Sequence, residues 1–376
     1  MKITRVVAAP IKWPVQVGIA GTAPVEQEIR ACLVRVETST GLCGHGLTSI
    51  TNERVVAAAV NDVVAPALIG EDPMNHEALW DRLYWLLSPR GQTGHASHAM
   101  AAVDIALWDI KGKALAQPVW RLLGGARARV PVYATFGFDF LDRDALGQAA
   151  ATLRAQGYQH LKMVVGHQAL QRRDRGGPAL DEVIAEDERR VRTVREAAGG
   201  DAQIYIDANC SLDAFHAQRL AMNLSDCRIA FFEEPVTQND IPAMADLRRR
   251  CGVAVAAGQN EGLAFRFRDM LVHGAVDFIQ PNVVIGGGYT QCVRIAGLAS
   301  AFNVPITNGG AFPLHNMHLH AGLANGGKVE WHLPTVALMR RLFTGFPEPA
   351  SGWLDLPDTP GLGFEPGAEM LDLFRA

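Results

Sequence analysis

The chain has 376 residues, of which 48% are hydrophobic and 20% charged, the balance of a globular protein with one large domain or two. A net charge of −4 and a pI near 6.3 exclude the basic footprint of a nucleic-acid binder, and no run approaches the 18 apolar residues of a membrane span. The six cysteines are scattered without a CxxC, and Lys12 interrupts the start before a signal-length apolar segment forms, so reduced thiols and a cytoplasmic location are expected.

Residues 2–9 and 29–37 read as strands, the second turning at Ser39-Thr40-Gly41 into an antiparallel meander. Between them, 15–28 carries Gly18, Gly21 and Pro24 and reads as a loop free to move. Helices follow over Glu53 to Leu68, His76 to Leu87 and Ala96 to Leu115. The last has an apolar stripe at Met100, Val103, Leu107, Ile110 and Ala114, and it stops where Gln117-Pro118 forbids continuation. Strands followed by helices make an α+β module.

From Val130 the rhythm alternates. Strands are expected near 130, 160, 203, 229, 253, 278, 304 and 328, each but the last followed by a clear helix. Eight such units favour a modified (β/α)8 TIM-type barrel over a doubly wound sheet. The expected division is an α+β domain over 1–125, a barrel over 126–350 and a tail over 351–376.

Two strands end in acids: Ile204-Tyr205-Ile206-Asp207 and Ala230-Phe231-Phe232-Glu233. In a barrel those ends converge on the face where sites are built, and two converging carboxylates repel unless a cation lies between them. Oxygen ligands of this kind suit Mg2+; N-capping of the following helices is the plainer alternative. Asp207 and Glu233 are 26 residues apart, and a further 26 reaches Gln259, with Glu261 two residues on. Either could complete the ligand set, and Glu261 would carry the charge.

On the strand at 160, alternation puts His160, Lys162 and Val164 on one face and the wholly apolar Leu161, Met163 and Val165 on the other. Lys162 therefore points into the barrel, where an idle charge would be costly. The next loop, 166–178, carries Arg172, Arg173 and Arg175, cations that suit a polyhydroxy acid or a diacid.

The helix Ala102-Val103-Asp104-Ile105-Ala106-Leu107-Trp108-Asp109-Ile110-Lys111-Gly112-Lys113, with Leu122-Leu123-Gly124-Gly125, Asp207-Ala208-Asn209, Glu233-Glu234-Pro235 and Pro360-Gly361-Leu362-Gly363, resembles the mandelate racemase and muconate-lactonising branch of the enolase superfamily over nearly the whole chain. The resemblance implies an α+β domain over 1–125 that caps the barrel, a C-terminal tail over 351–376 that returns to this capping domain, and Mg2+ at the barrel's mouth. It also implies a reaction that begins by removing the proton α to a substrate carboxylate, giving an enediolate stabilised by the metal.

The acid/base residues depart from that pattern. Val164 stands where the racemase-like subgroup has its second lysine, Asn282 where it has the Asp of a His-Asp dyad, and glycine, in Asn308-Gly309-Gly310, where it has the His. The muconate-type lysine has no counterpart in Val283 to Gly288. Lys162 is the catalytic candidate, with replacement protons from His315, His160, His95 or His98. Asn209, Asn282, Asn308 and Arg172 are candidate substrate contacts. Elimination needs fewer opposed acid/base groups than racemisation. The expectation is therefore a Mg2+-dependent lyase, a dehydratase of a sugar acid or small hydroxy acid, with an epimerase, a cycloisomerase or a non-catalytic binding protein as alternatives. A small-molecule carboxylate and a homo-oligomeric state are the expected partners.

Overall fold

The computed structural model describes residues 1–19, 22–172 and 176–374, with the side chains of 170–172 outside that description. The N-terminal α+β domain starts with β1 (Ile3–Val17), β2 (Val25–Thr38) and β3 (Cys43–Ser49), paired antiparallel in that order. The expected loop over 15–28 is mostly hairpin, because β1 and β2 stay in register from Ile3↔Thr38 to Val17↔Val25. The helix His95–Ala114 lies across β3. Gly44 and Gly46 allow that close approach, since a Cβ at either would stand 2.0 or 1.8 Å from the carbonyl oxygens of Ala106 and Ala102.

The second unit is a parallel sheet that curls into a ring. Its strands are β4 (Arg129–Gly137), β5 (His160–Val164), β6 (Gln203–Asp207), β7 (Ile229–Glu233), β8 (Val255–Ala257), β9 (Phe278–Ile279) and β10 (Val329–His332), in the spatial order β10-β4-β5-β6-β7-β8-β9. The strand expected near 304 is reduced to a bridge between Ile279 and Ile306. Pro305 has no N–H to give to a ladder, yet the segment still joins the two edges. Ile279 N–H donates to Pro305, Thr307 N–H to Ile279 and Asn308 N–H to the Lys328 carbonyl. With that bridge the fold is a modified TIM-type barrel under an N-terminal α+β domain.

Inside the ring, Tyr133, Tyr205, Phe231 and Ala256 from β4, β6, β7 and β8 form a buried layer. The ladder sets Val164, Asp207 and Glu233 side by side at the C-terminal ends of β5, β6 and β7, with Lys162 two residues deeper and level with Tyr205. The fold thus places a lysine and two acids between an aromatic plug and the open mouth. Among the described residues, no helix is long and apolar enough to cross a membrane.

Candidate active site

Lys162 is 1% exposed and its ammonium touches three carboxylates, Asp207 at 3.1 Å, Glu233 at 2.9 Å and Glu330 at 2.8 Å. Burial pulls the ammonium down, but the charges of Glu233 and Glu330 outweigh it and hold Lys162 well above its ordinary value. The three carboxylates favour its ammonium form. Its anions are served unequally. Glu330 also accepts from the Thr135 hydroxyl and from Ala311 N–H, and although burial pushes it up, Lys162 brings it net below the usual carboxylate range. Glu233 takes the ammonium as its donor, and burial with the charge of Asp207 pushes it well up.

Glu234 is a fourth buried carboxylate, surrounded by the amides of Asn239 at 2.9 Å, Gln259 at 2.9 Å and Asn260 at 2.7 Å. Burial pushes it up as well. Four carboxylates with one ammonium leave a surplus of buried negative charge, which a hard divalent cation would relieve.

Asp207 and Glu233 fit such a cation as adjacent oxygen ligands. Among the described residues no three acidic, histidine or cysteine side chains form a ready metal cage, which makes a neutral side chain the candidate for the next ligand. Gln259 is placed for it. Its NH2 faces Asp207 at 3.4 Å and Glu234 at 2.9 Å, and a half-turn of the amide would present its oxygen instead. Glu261 does not take that part: Arg266 at 3.2 Å and Asn239 at 3.2 Å hold it aside. Gln280 supports a polar occupant. Both atoms of its amide are buried without a hydrogen-bond partner among the described residues, and a Cβ added at Gly309 would lie 2.6 Å from that amide and 3.0 Å from Glu233.

Above these groups opens a cavity of about 540 Å³. Its floor includes Asp207, Gln259 and Glu330, its walls include Asn209, Asp139, His167 and His332, and Gln27 to Arg30 with Ser49 to Thr51 close it from the N-terminal domain. Lys162 does not line it, because Asp207 and Glu330 stand between. Asn209 lines it.

Several expected residues have other work. His315 is fully buried against Phe343 and Phe364, away from the cavity lining. Its helix, Pro313–Gly322, is buried along its whole length, so the side chain fills core. His160 sits at the N-terminal end of β5, far from the mouth, stacked on Tyr205 with 2.9 Å from Nδ1 to the hydroxyl. His98 is buried against Thr48, and His95 is exposed at a helix start. Asn282 spends its NH2 on the carbonyls of Gly309 and Gly310 and its oxygen on Val284 N–H and Asn316. Asn308 likewise braces Glu330 N–H and Gly309. The side chain of Arg172, like Arg173 and Arg175, lies outside the described residues.

Four residues escaped the reading of the sequence: Glu330, His332, Asp139 and His167. The alternation used for Lys162 would have selected Glu330 and His332, since Val329 and Trp331 between them are apolar. His332 Nδ1 accepts from Thr335 N–H at 3.4 Å, so its neutral ring carries the proton on Nε2. Burial pulls it down to about 4, which keeps it a neutral donor near pH 7. Asp139 and His167 pair at 3.0 Å.

Comparisons with known proteins point the same way as the geometry. A family model for the mandelate racemase / muconate lactonizing enzyme N-terminal domain matches residues 2–124, and one for the enolase C-terminal domain-like family matches 144–370. The chain is 30% identical over 353 residues to an arabinonate dehydratase of Saccharolobus solfataricus, covering 92% of this chain and 90% of the relative. It is 34% identical over 291 residues to a 3,6-anhydro-alpha-L-galactonate cycloisomerase of Streptomyces coelicolor, covering 77% and 76%. A crystal structure of a racemase from Streptomyces coelicolor with bound magnesium superposes with a TM-score of 0.86 at 29% identity, covering 98% of this chain and 99% of that one.

Proposed function

Because the chain belongs to the mandelate racemase / muconate lactonizing enzyme family of the enolase superfamily, we propose that it is a Mg2+-dependent dehydratase. It takes the α-proton of a sugar acid or small hydroxy acid and releases the β-hydroxyl as water, leaving a 2-keto acid. The relatives named as dehydratases support this reading.

The observation that carries it is the one-sided distribution of proton carriers among the described residues. Both histidines that line the cavity, and Asp139, lie where β10, β4 and β5 end. The opposite wall presents Gln259, Asn260, Gly310 and Ala311. Asn282 there is consumed by backbone, and Gly309 has no room for a side chain beside Gln280 and Glu233. Racemisation needs a proton carrier on each face of the α-carbon. Elimination can use one wall.

Asp207 and Glu233, with the Gln259 oxygen, would hold Mg2+, which when bound supplies positive charge where negative charge grows on the substrate carboxylate. Lys162 balances the same carboxylates from below and keeps their geometry. His332 offers its Nε2 proton to a developing oxyanion as a neutral donor. Asn209 and the polar groups of Gln27 to Arg30 and Ser49 to Thr51 meet the hydroxylated tail, while the covering domain keeps bulk water out.

A cycloisomerase is the second reading, carried by the Streptomyces relative. Incubation with Mg2+ and a panel of five- and six-carbon aldonates, with 2-keto acid read as its semicarbazone, separates the two. Keto acid from at least one aldonate is the expected result. Deuterium entering the α-carbon from D2O, or opening of an anhydro ring, with no keto acid would overturn the dehydratase in favour of the isomerase.

A further inference from the structure

We propose that Asp139 and His167 are the acid–base dyad of this enzyme, placed after β4 and β5 in compensation for the positions that hold Asn282 and Gly309. The assignment rests on the dehydratase reading above and adds the group that moves the proton.

The pair is built, not incidental. His167 Nδ1 lies 3.0 Å from Asp139 Oδ2, the two side chains keep 29% and 23% of their exposure, and both line the cavity. Neither loop is free to separate from the other. On the helix Leu180–Ala198, the buried pair Asp187–Arg190 at 3.1 Å ties both down. Arg190 donates to the carbonyls of Gly137 and Phe138, just before Asp139, and to Val164, where β5 ends. Asp187 accepts from Gly166 N–H at 2.6 Å, the residue just before His167. Gly166 itself turns at φ +67°, and a Cβ there would stand 2.1 Å from the Ser211 hydroxyl. One buried ion pair thus fixes the residue preceding each member of the dyad.

The ring tautomers differ in a useful way. His332 accepts a hydrogen bond at Nδ1 and so presents Nε2–H, a donor. His167 Nδ1 lies 3.0 Å from a carboxylate, which can only accept, so the neutral ring carries its proton on Nδ1 and its lone pair on Nε2. Of the two cavity histidines, His167 is therefore the base. Its Nε2 takes the α-proton, and the C–H electron pair passes into the enediolate. That pair then forms the bond between the α- and β-carbons and expels the β-oxygen. The imidazolium returns its proton to that oxygen, and water leaves. The enol product becomes the keto acid by taking a solvent proton at the former β-carbon while its α-hydroxyl gives its proton to solvent. Asp139 touches no reacting atom and is a positioning residue.

Two measurements test this. Ring 15N shifts of His167 in the full-length enzyme, assigned by difference from H167N, should show a protonated Nδ1 and a bare Nε2, with the two exchanged in D139N. On an aldonate that the wild type turns over, H167N should lower kcat by at least about 10²-fold with KM within a fewfold. D139N should also lower kcat, D139E should recover most of that loss, and free imidazole should rescue H167A. A wild-type ring protonated at Nε2 would overturn the dyad, as would H167N turning over within threefold of wild type. The tautomers as stated, in an enzyme that makes no keto acid from any aldonate, would support the dyad and remove only the dehydratase reading.

Discussion

Lys162 sits among three buried carboxylates, Asp207, Glu233 and Glu330. An ammonium held by three buried carboxylates cannot be deleted without stranding them, and removing one member of a buried ion pair costs about 3–5 kcal/mol. Lys162→Met is therefore expected to lower stability by about that much while leaving the flanking aromatic layer in place. If the carboxylates also serve Mg2+, the ion replaces part of the lost charge, and millimolar Mg2+ should raise the melting temperature of K162M by more than that of wild type. Equal shifts in the two proteins would show that lysine and metal do not share their anions. Lys162 was legible because its strand alternates cleanly. His167 was not, since its partner is 28 positions away in another loop and no local period joins them. His315 misled for the converse reason. It follows a predicted strand end, but Phe343 and Phe364, which bury it, come from the far end of the chain.

At the scale of elements, the helix His95–Ala114 shows how one face can be read and the other missed. Its apolar stripe predicts the packing on the sheet. Asp104, off that stripe, instead reaches the helix Gly288–Ala301, where it accepts from Thr290 N–H at 3.0 Å and the Thr290 hydroxyl at 2.6 Å. Trp108 Nε1 donates to the same hydroxyl at 2.9 Å. Burial pushes Asp104 up to about 7 against the pull of Thr290, whereas an unfolded aspartate titrates near about 3.9. The folded value is the higher one, so the group's contribution is complete below the unfolded value and is lost as pH rises through about 7. Within that window the slope reaches at most about 1.4 kcal/mol per pH unit. The melting temperature of wild type minus that of Asp104→Asn should fall between pH 4.5 and 7 and level off above it; parallel curves would remove Asp104 as the titrating group. The missing seventh strand belongs to the same scale. Its βα rhythm was visible, but Pro305 leaves too few donors for a ladder, and a rhythm does not report how many bonds each strand makes.

The whole molecule depends on a meeting of its two ends. Residues 357–362 lie between the N-terminal helix His95–Ala114 and the barrel helix Pro313–Gly322. Leu362 N–H donates to Asp109 at 3.0 Å, Val119 N–H to Gly361 at 2.9 Å and Trp120 Nε1 to Pro357 at 2.8 Å, while His318 Nε2 lies 2.9 Å from the Leu362 carbonyl. Gly361 has φ +76° and would place a Cβ 2.3 Å from Asp109 Oδ1, and Gly112 would place its own 2.6 Å from the Gly361 backbone. Two glycines back to back let the tail pass under the helix that carries the N-terminal domain. A β-branched side chain at 361 meets both a left-handed backbone and a filled space, so Gly361→Val is expected to cost about 3 kcal/mol or more. That domain also supplies the cavity wall from Gln27 to Arg30 and Ser49 to Thr51. Loosening its anchor should therefore raise KM for the aldonate more than it lowers kcat, because the tail's hydrogen bonds run to Asp109, Val119, Trp120 and His318. Calorimetry with steady-state kinetics on G361V checks both halves. An unchanged melting temperature would mean the tail is not what seats the domain, and a fall in kcat at constant KM would place its influence on the proton-transfer groups instead.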